Sequence, residues 1–201
     1  MMNSPATRSE ERISSATSPR LWTARSSANG SKTLNVNRDA EIRIVEVSDP
    51  RALRDLARWF ASQLRPLPEY ISHSEILWGR AAAPDRWHED FAGIIEREFA
   101  ATGAATRRFA VRDEEGWAGL ACLNVQREDG RTVATLEDLI VDPGRRRTGI
   151  ATALLRYVEA AGRDAGADWL ALESGLRNEG AHAFFERHGY QTVSRVMVKK
   201  A

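Results

Sequence analysis

The sequence predicts a single α+β domain in which an antiparallel run of strands is flanked by helices. Three observations predict it. β-prone runs stand at 42–47, 109–111, 117–125 and 133–141. The gaps between the last three hold the turn-forming stretches Asp113-Glu114-Glu115-Gly116 and Asp129-Gly130. The segments before and after them carry apolar residues at helical spacing. A chain of 201 residues with 42% apolar content can bury one substantial core and is short for two.

The elements follow in order. Met1–Asp39 is rich in Ser, Thr, Asn, Ala and Arg without sustained periodicity, so it reads as a disordered tail, and residues 40–201 as the folded domain. Ile42, Ile44, Val45 and Val47 form a β-branched first strand. Ser48-Asp49-Pro50 supplies a cap and a first-turn proline for a helix carrying Leu53, Leu56, Ala57, Phe60 and Leu64, which ends near Pro66. Ser72 and Glu75 have capping-box spacing ahead of Ile76, Leu77 and Trp78, and Trp87, Phe91, Ile94, Ile95 and Phe99 mark a further helix after Pro84. The three-strand meander comes next. A helix after Pro143 presents Ile150, Leu154, Val158 and Ala161 on one face and ends at Gly166. Trp169–Leu172 reads as a short buried strand, Asn178 as the cap of a helix with Ala181, Phe184, Phe185 and His188 that closes at Gly189, and Thr192–Val198 as a final strand.

The bulk numbers exclude several classes. Lys and Arg total 29 against 28 Asp and Glu, and a formal charge of +1 gives no global attraction to nucleic acid or anionic membrane. No apolar run approaches the roughly 20 residues of a membrane span, and the start lacks a secretory apolar core. The single cysteine, Cys122, excludes an intramolecular disulfide and fits a cytoplasmic location; mid-strand, it is expected to be buried and inert. His73, His88, His182 and His188 show no metal-ligand spacing.

The chemistry concentrates between the fourth predicted strand and the helix that follows. A helix start leaves N–H groups free and carries a positive dipole end, so Arg146–Thr152 is a natural anion site. Gly149 and Ala151 let a pyrophosphate approach the main chain, and Arg145, Arg146 and Arg147 add mobile positive charge. Gly144 and Gly149 have P-loop spacing, but Ile150-Ala151 stands where Lys-Ser or Lys-Thr is required, and no GxGxxG follows a strand. A nucleoside triphosphatase and a dinucleotide enzyme are both disfavoured.

Arg146-Arg147-Thr148-Gly149-Ile150-Ala151, preceded by Val141-Asp142-Pro143, resembles the Arg/Gln-x-x-Gly-x-Gly/Ala signature of the GNAT superfamily of N-acetyltransferases. Asn178, Ala181, Phe184-Phe185-Glu186 and Gly189-Tyr190 are similar to its second signature. The resemblance spans about Ile42 to Lys199 and is specific in the second half. It implies a mixed, mostly antiparallel sheet whose fourth and fifth strands splay apart. It also implies acetyl-CoA as co-substrate with no metal, the pantetheine arm running between those strands along the backbone of Leu139, Ile140 and Val141. The phosphates would lie on Arg146, Arg147, Thr148, Gly149, Ile150, Ala151 and Thr152, with Asn178 and Phe185 as further cofactor contacts.

Transfer in such enzymes is direct attack of a neutral amine on the thioester, which requires a base. By similarity to members with acidic residues on the fourth strand, Glu137 is the candidate, with Asp138 the alternative; alternation along a strand directs one of the two to the cleft. The family's usual acid, a Tyr in the Phe-Tyr pair, is replaced here by Phe185. The leading function is acetylation of a primary amine on a small molecule. Acetylation of a protein or peptide amine is the alternative within enzymes, and a non-catalytic acyl-CoA-binding regulator the alternative outside them. Nucleic acid and membrane are not expected as partners, and homodimerisation is left open. The acceptor would be shaped by Glu69–Phe99 and the last hairpin, where Glu69, Glu75, Glu89 and Asp90 attract a cation and Arg65, Arg80 and Arg86 offset them.

Overall fold

A computed structural model describes residues 32–33, 42–101 and 106–200. The tail expected over Met1–Asp39 lies outside the described residues apart from a two-residue strand, β1 (Lys32–Thr33). The remaining elements run β2 (Arg43–Glu46), α1 (Pro50–Leu64), a 3-10 turn (Pro68–Tyr70), α2 (His73–Leu77), β3 (Ala81–Ala83), β4 (Arg86–Trp87), α3 (Phe91–Ala100), β5 (Thr106–Asp113), β6 (Gly116–Glu128), β7 (Arg131–Val141), a second 3-10 turn (Pro143–Arg145), α4 (Ile150–Asp164), β8 (Trp169–Leu172) and α5 (Glu179–Arg187).

The main sheet has six strands in the order β1-β2-β5-β6-β7-β8. Its pairings are antiparallel except β7 with β8. This is the mixed, mostly antiparallel sheet expected, and the hairpins form where the turn residues stand. Asp129 and Gly130 both take positive φ, 48° and 76°, the geometry of a tight two-residue hairpin. Asp49 caps α1 by accepting from Arg51 N and Ala52 N at 3.0 and 2.9 Å.

Two cores cover the two faces of the sheet. On one, α1 and α3 pack Leu56, Phe60, Leu64, Phe91, Ile95 and Phe99 against Ala110, Leu120 and Ile140. On the other, α4 and α5 pack Leu154, Leu155, Val158 and Phe185 against Phe109, Ala121 and Leu136.

Three expectations need correction. Trp87 belongs to β4, not to a helix: the Pro84-Asp85 turn folds β4 back on β3, α3 starts only at Phe91, and Trp87 packs on Phe91 with ring centroids 4.4 Å apart. β8 is an edge strand rather than a buried one, with Trp169 70% exposed. Residues 192–198 form no strand, and hence no last hairpin; Val193 is 90% and Met197 91% exposed. β propensity is expressed only where a neighbouring edge packs against the residues that carry it, and none does so here.

β7 and β8 are the strands expected as fourth and fifth, and they part as expected. Their ladder runs from Val133–Trp169 to Leu136–Leu172 and stops, while β7 continues to Val141. The outer edge of β7 beyond Leu136 is thereby free of strand partners.

Candidate active site

Where β7 and β8 part, a cavity of about 660 Å³ opens. Its wall runs along β7 from Leu136 to Val141 and into the loop before α4. It is completed by Leu67–Glu75, Leu172–Ser174 and α5.

The loop end is built from backbone. Gly149 is the residue before α4, with φ 91° and no side-chain cap, so the first N–H groups of the helix have no local acceptor. A Cβ at Gly149 would meet only Ile42 Cδ1, at 3.8 Å, so glycine is required here by the backbone angle and not by crowding. Arg147 is also left-handed, at φ 66°. Of the expected cofactor residues, Leu139, Ile140, Val141, Arg146, Arg147, Gly149, Ile150, Ala151, Thr152, Asn178 and Phe185 line the cavity, and Thr148 does not. Thr148 instead donates its hydroxyl to Arg145 O at 2.6 Å, closing the turn.

Arg145 departs from the expected mobile charge. It is pinned by Asp113 at 2.6 Å, Glu115 at 2.7 Å and Asp142 at 3.3 Å, and so fixes the loop to the β5–β6 hairpin. Among the described residues no carboxylate engages Arg146 or Arg147, which leaves their charge for a ligand.

The expected alternation along β7 is broken at the candidate base. Leu136 faces Leu123 and Asp138 faces Cys122, so Glu137 is an extra residue, a β-bulge. Ala134 and Leu136 pack in the α4 core, whereas Ile140 packs in the α1–α3 core. Glu137 lines the cavity and accepts from Asn124 Nδ2 at 2.9 Å and Thr106 Oγ1 at 3.1 Å. The protein packed around its carboxyl raises its pKa above the usual carboxylate value, with those hydrogen bonds pulling the other way.

Asp138 is not on the cavity wall. It is 2% exposed and accepts from Arg80 Nη1 at 3.2 and 3.4 Å. Arg80 also bonds Glu98, through Nε at 2.8 Å, and lies 3.8 Å from Glu75. One buried guanidinium therefore ties α2, α3 and β7 together. Burial opposes its charge, but Asp138, then Glu98 and Glu75, outweigh burial and hold it protonated. Glu75 is itself 4% exposed and accepts from Ser72 N and Oγ at 2.8 and 2.5 Å, and burial raises its pKa.

Sequence reasoning passed over three residues here. Tyr70 Oη accepts from Leu139 N at 3.2 Å and lies 3.4 Å from Asp138 Oδ1. Glu173 accepts from Ser74 N and Oγ at 3.1 and 2.8 Å and faces the cavity. Gly175 lets the β8–α5 loop press on the Tyr70 segment, since a Cβ there would collide with the carbonyl oxygens of Glu69 and Ile71. The absence of a side chain at Gly175 was the one available signal, and it names no contact by itself. Cys122 is 2% exposed, and burial pushes its thiol well above the usual value, as an inert core cysteine requires. Among the described residues no group of His, Cys, Asp and Glu is arranged to hold a metal ion, and no helix is long and apolar enough to cross a membrane.

Comparison with known proteins agrees with this geometry. The Acetyltransferase (GNAT) family pattern matches residues 67–190, which includes the whole cavity wall. A glucosamine 6-phosphate N-acetyltransferase of Trypanosoma brucei brucei is 30% identical over 140 residues, spanning 67% of this chain and 92% of that protein. Among solved structures, an aminoglycoside N-acetyltransferase in complex with CoA superposes with a TM-score of 0.58 at 17% identity, covering 83% of this chain and 99% of the other. An acetyltransferase of Trypanosoma brucei superposes with a TM-score of 0.53 at 21% identity, covering 79% and 98%. The family pattern and the curated relative, together with a sheet that opens at β7 and β8, establish that this chain belongs to the GNAT family and is an N-acetyltransferase.

Proposed function

We propose that the protein transfers the acetyl group of acetyl-CoA to a primary amine on a small cationic molecule, by direct attack within a ternary complex. The observation that carries this reading is the division of one cavity wall. The loop into α4 presents free N–H groups and the unpaired Arg146 and Arg147. The rest carries four carboxylates, Glu69, Glu75, Glu137 and Glu173, against one arginine, Arg187 of α5. Glu69 has no partner among the described residues.

The residues present fit the co-substrate. The α4 N-terminus with Arg146 and Arg147 would hold its phosphates, the free edge of β7 at Leu139–Val141 its pantetheine amides, and Asn178 and Phe185 the adjoining wall. Acetyl-CoA supplies an acyl carbon activated as a thioester. The neutral amine attacks and Glu137 takes the proton its nitrogen sheds, directly or through water; the raised pKa of Glu137 brings it nearer the working pH, where a base is most effective. Asp138, committed to Arg80, is assigned a structural part. With Phe185 in place of a phenol, the thiolate departs without a proton from that position.

The curated relative is named for an acceptor that carries a phosphate. In this chain no Lys or Arg from Leu67–Glu75, from β7 or from Leu172–Ser174 lines the cavity, so the charged groups a phosphate would meet there are carboxylates, and Arg187 of α5 is the one arginine on the wall outside the α4 loop among the described residues. A cation fits that wall better. Thiol release from acetyl-CoA, measured over diamines, aminoglycosides, peptide amines and glucosamine 6-phosphate, tests the reading. Turnover highest with polycationic small molecules is expected. Preference for glucosamine 6-phosphate or for peptide amines would overturn the acceptor assignment.

A further inference from the structure

Tyr70 lines the cavity with no role yet assigned. It closes the Pro68–Tyr70 turn, packs its ring against the α1–α3 core, and reaches the free edge of β7. There its oxygen accepts from Leu139 N at 3.2 Å, a donor left without a strand partner because the β8 ladder ends at Leu172. Among the described residues it is the only tyrosine lining the cavity, and Glu137 lines it two residues before Leu139.

Amine acylation by a thioester has a fixed electron balance. The amine nitrogen bonds the carbonyl carbon, the C=O π pair moves onto oxygen, and the ammonium proton passes to Glu137. The oxygen's pair then re-forms C=O as the C–S bond breaks, and the sulfur leaves with that bond's electrons. Charge is greatest on the oxygen between these events, and donors aimed at it lower the barrier.

Resting on that reading, we propose that Tyr70 is a catalytic residue: its hydroxyl and Leu139 N–H form a donor pair that receives the negative charge developing on the thioester oxygen. Without substrate the two groups satisfy each other, the N–H donating to the phenol oxygen. A carbonyl oxygen entering between them takes both donors. The phenol proton is easily released from Asp138, because that contact is long, at 3.4 Å, and Asp138 keeps Arg80. Burial, then the charge of Asp138, pushes the phenol well above its usual pKa, so it stays protonated. Such a phenol suits a donor that keeps its proton.

Tyr70→Phe preserves the ring and removes the hydroxyl, both as a donor and as the acceptor of Leu139 N. It is expected to lower kcat by about 10²–10³-fold with the KM for acetyl-CoA nearly unchanged, and to leave the pH profile of the parent in shape. A kcat within about threefold of the parent overturns the proposal, and so does loss of an alkaline limb in the variant, which would mark Tyr70 as an acid. A second measurement needs no variant and no turnover. The parent is titrated with a non-reactive ketone analogue of acetyl-CoA while the amide resonance of Leu139 is followed. A downfield shift with the ketone analogue, absent with coenzyme A alone, is expected; identical shifts with both overturn the donor pair. A parent that binds coenzyme A yet releases no thiol with any amine overturns the acyl-transfer reading instead, and the amide shift still decides the fate of Tyr70.

Discussion

The loop between β7 and α4 meets the cavity chiefly with backbone, whereas Leu67–Glu75 and its surroundings meet it with side chains. The loop is contiguous in sequence, held by a left-handed glycine and by Arg145 clamped to three carboxylates. The Tyr70 region depends on contacts across the chain: Tyr70 with Asp138, 68 residues apart, Arg80 with Asp138, 58 apart, and Ser74 with Glu173, 99 apart. A backbone site needs particular conformations at a few neighbouring positions. A side-chain site needs its distant supports in place, and its chemistry changes with any of them.

The sharpest test of this division is at Glu137, where the side-chain end does chemistry. Glu137→Gln is expected to lower turnover over acceptor KM by about 10²–10⁴-fold at neutral pH. In the parent, activity falls as pH drops and Glu137 takes a proton, with a midpoint above the ordinary carboxylate range because its pKa is raised. That acid limb should vanish in the variant, and the deficit should shrink at high pH, where the amine is already neutral. A variant equal to the parent, with Asp138→Asn impaired, moves the base to Asp138.

Next comes the support of that end. Arg80→Leu leaves Asp138 and Glu75 buried without their cation, and urea denaturation is expected to show a loss of about 3–5 kcal/mol. The loss should lessen as pH falls and the stranded Glu75 carboxylate, whose pKa burial already raises, takes a proton. A loss under about 1 kcal/mol would mean the network is solvated like a surface pair.

At the backbone end, Gly149→Val forces a β-branched residue into left-handed φ, which costs about 1–2 kcal/mol. Calorimetry should show coenzyme A affinity weakened about tenfold or more, with fold stability lowered by no more than that strain, since the side chain meets no crowding. Arg145→Ala should weaken it less, because Arg146 and Arg147 remain to meet the phosphates. Unchanged affinity in Gly149→Val would remove the phosphates from this loop. The smallest effect is expected at Phe185→Tyr, whose turnover should stay within about tenfold of the parent, or about 1.4 kcal/mol of barrier.

The same contrast explains what could be read in advance. The three-strand meander, its hairpins, the caps at Asp49 and Asn178 and the loop into α4 all follow from local patterns, and the sequence carries those patterns intact. Tyr70, Arg80 and Glu173 have no local pattern, because each is placed by residues far off in the chain. The final strand was read from propensity alone, and the helix at Trp87 from spacing that a Pro84 turn interrupts. The rule that one of Glu137 and Asp138 faces the cleft assumed an unbroken strand. Two consecutive acidic residues between apolar ones were the visible sign that it is broken.

The bulge at Glu137 has a consequence for how this enzyme can change. Leu136 already sits opposite Leu123 and Asp138 opposite Cys122, so the ladder closes on either side without using Glu137. The residue proposed to accept the proton is supernumerary to the scaffold that carries it. A substitution at such a socket leaves the ladder intact and gives up only the hydrogen bonds from Asn124 and Thr106. Reactivity at this point is therefore free to be retuned, lost or regained by single substitutions while the fold stays as it is.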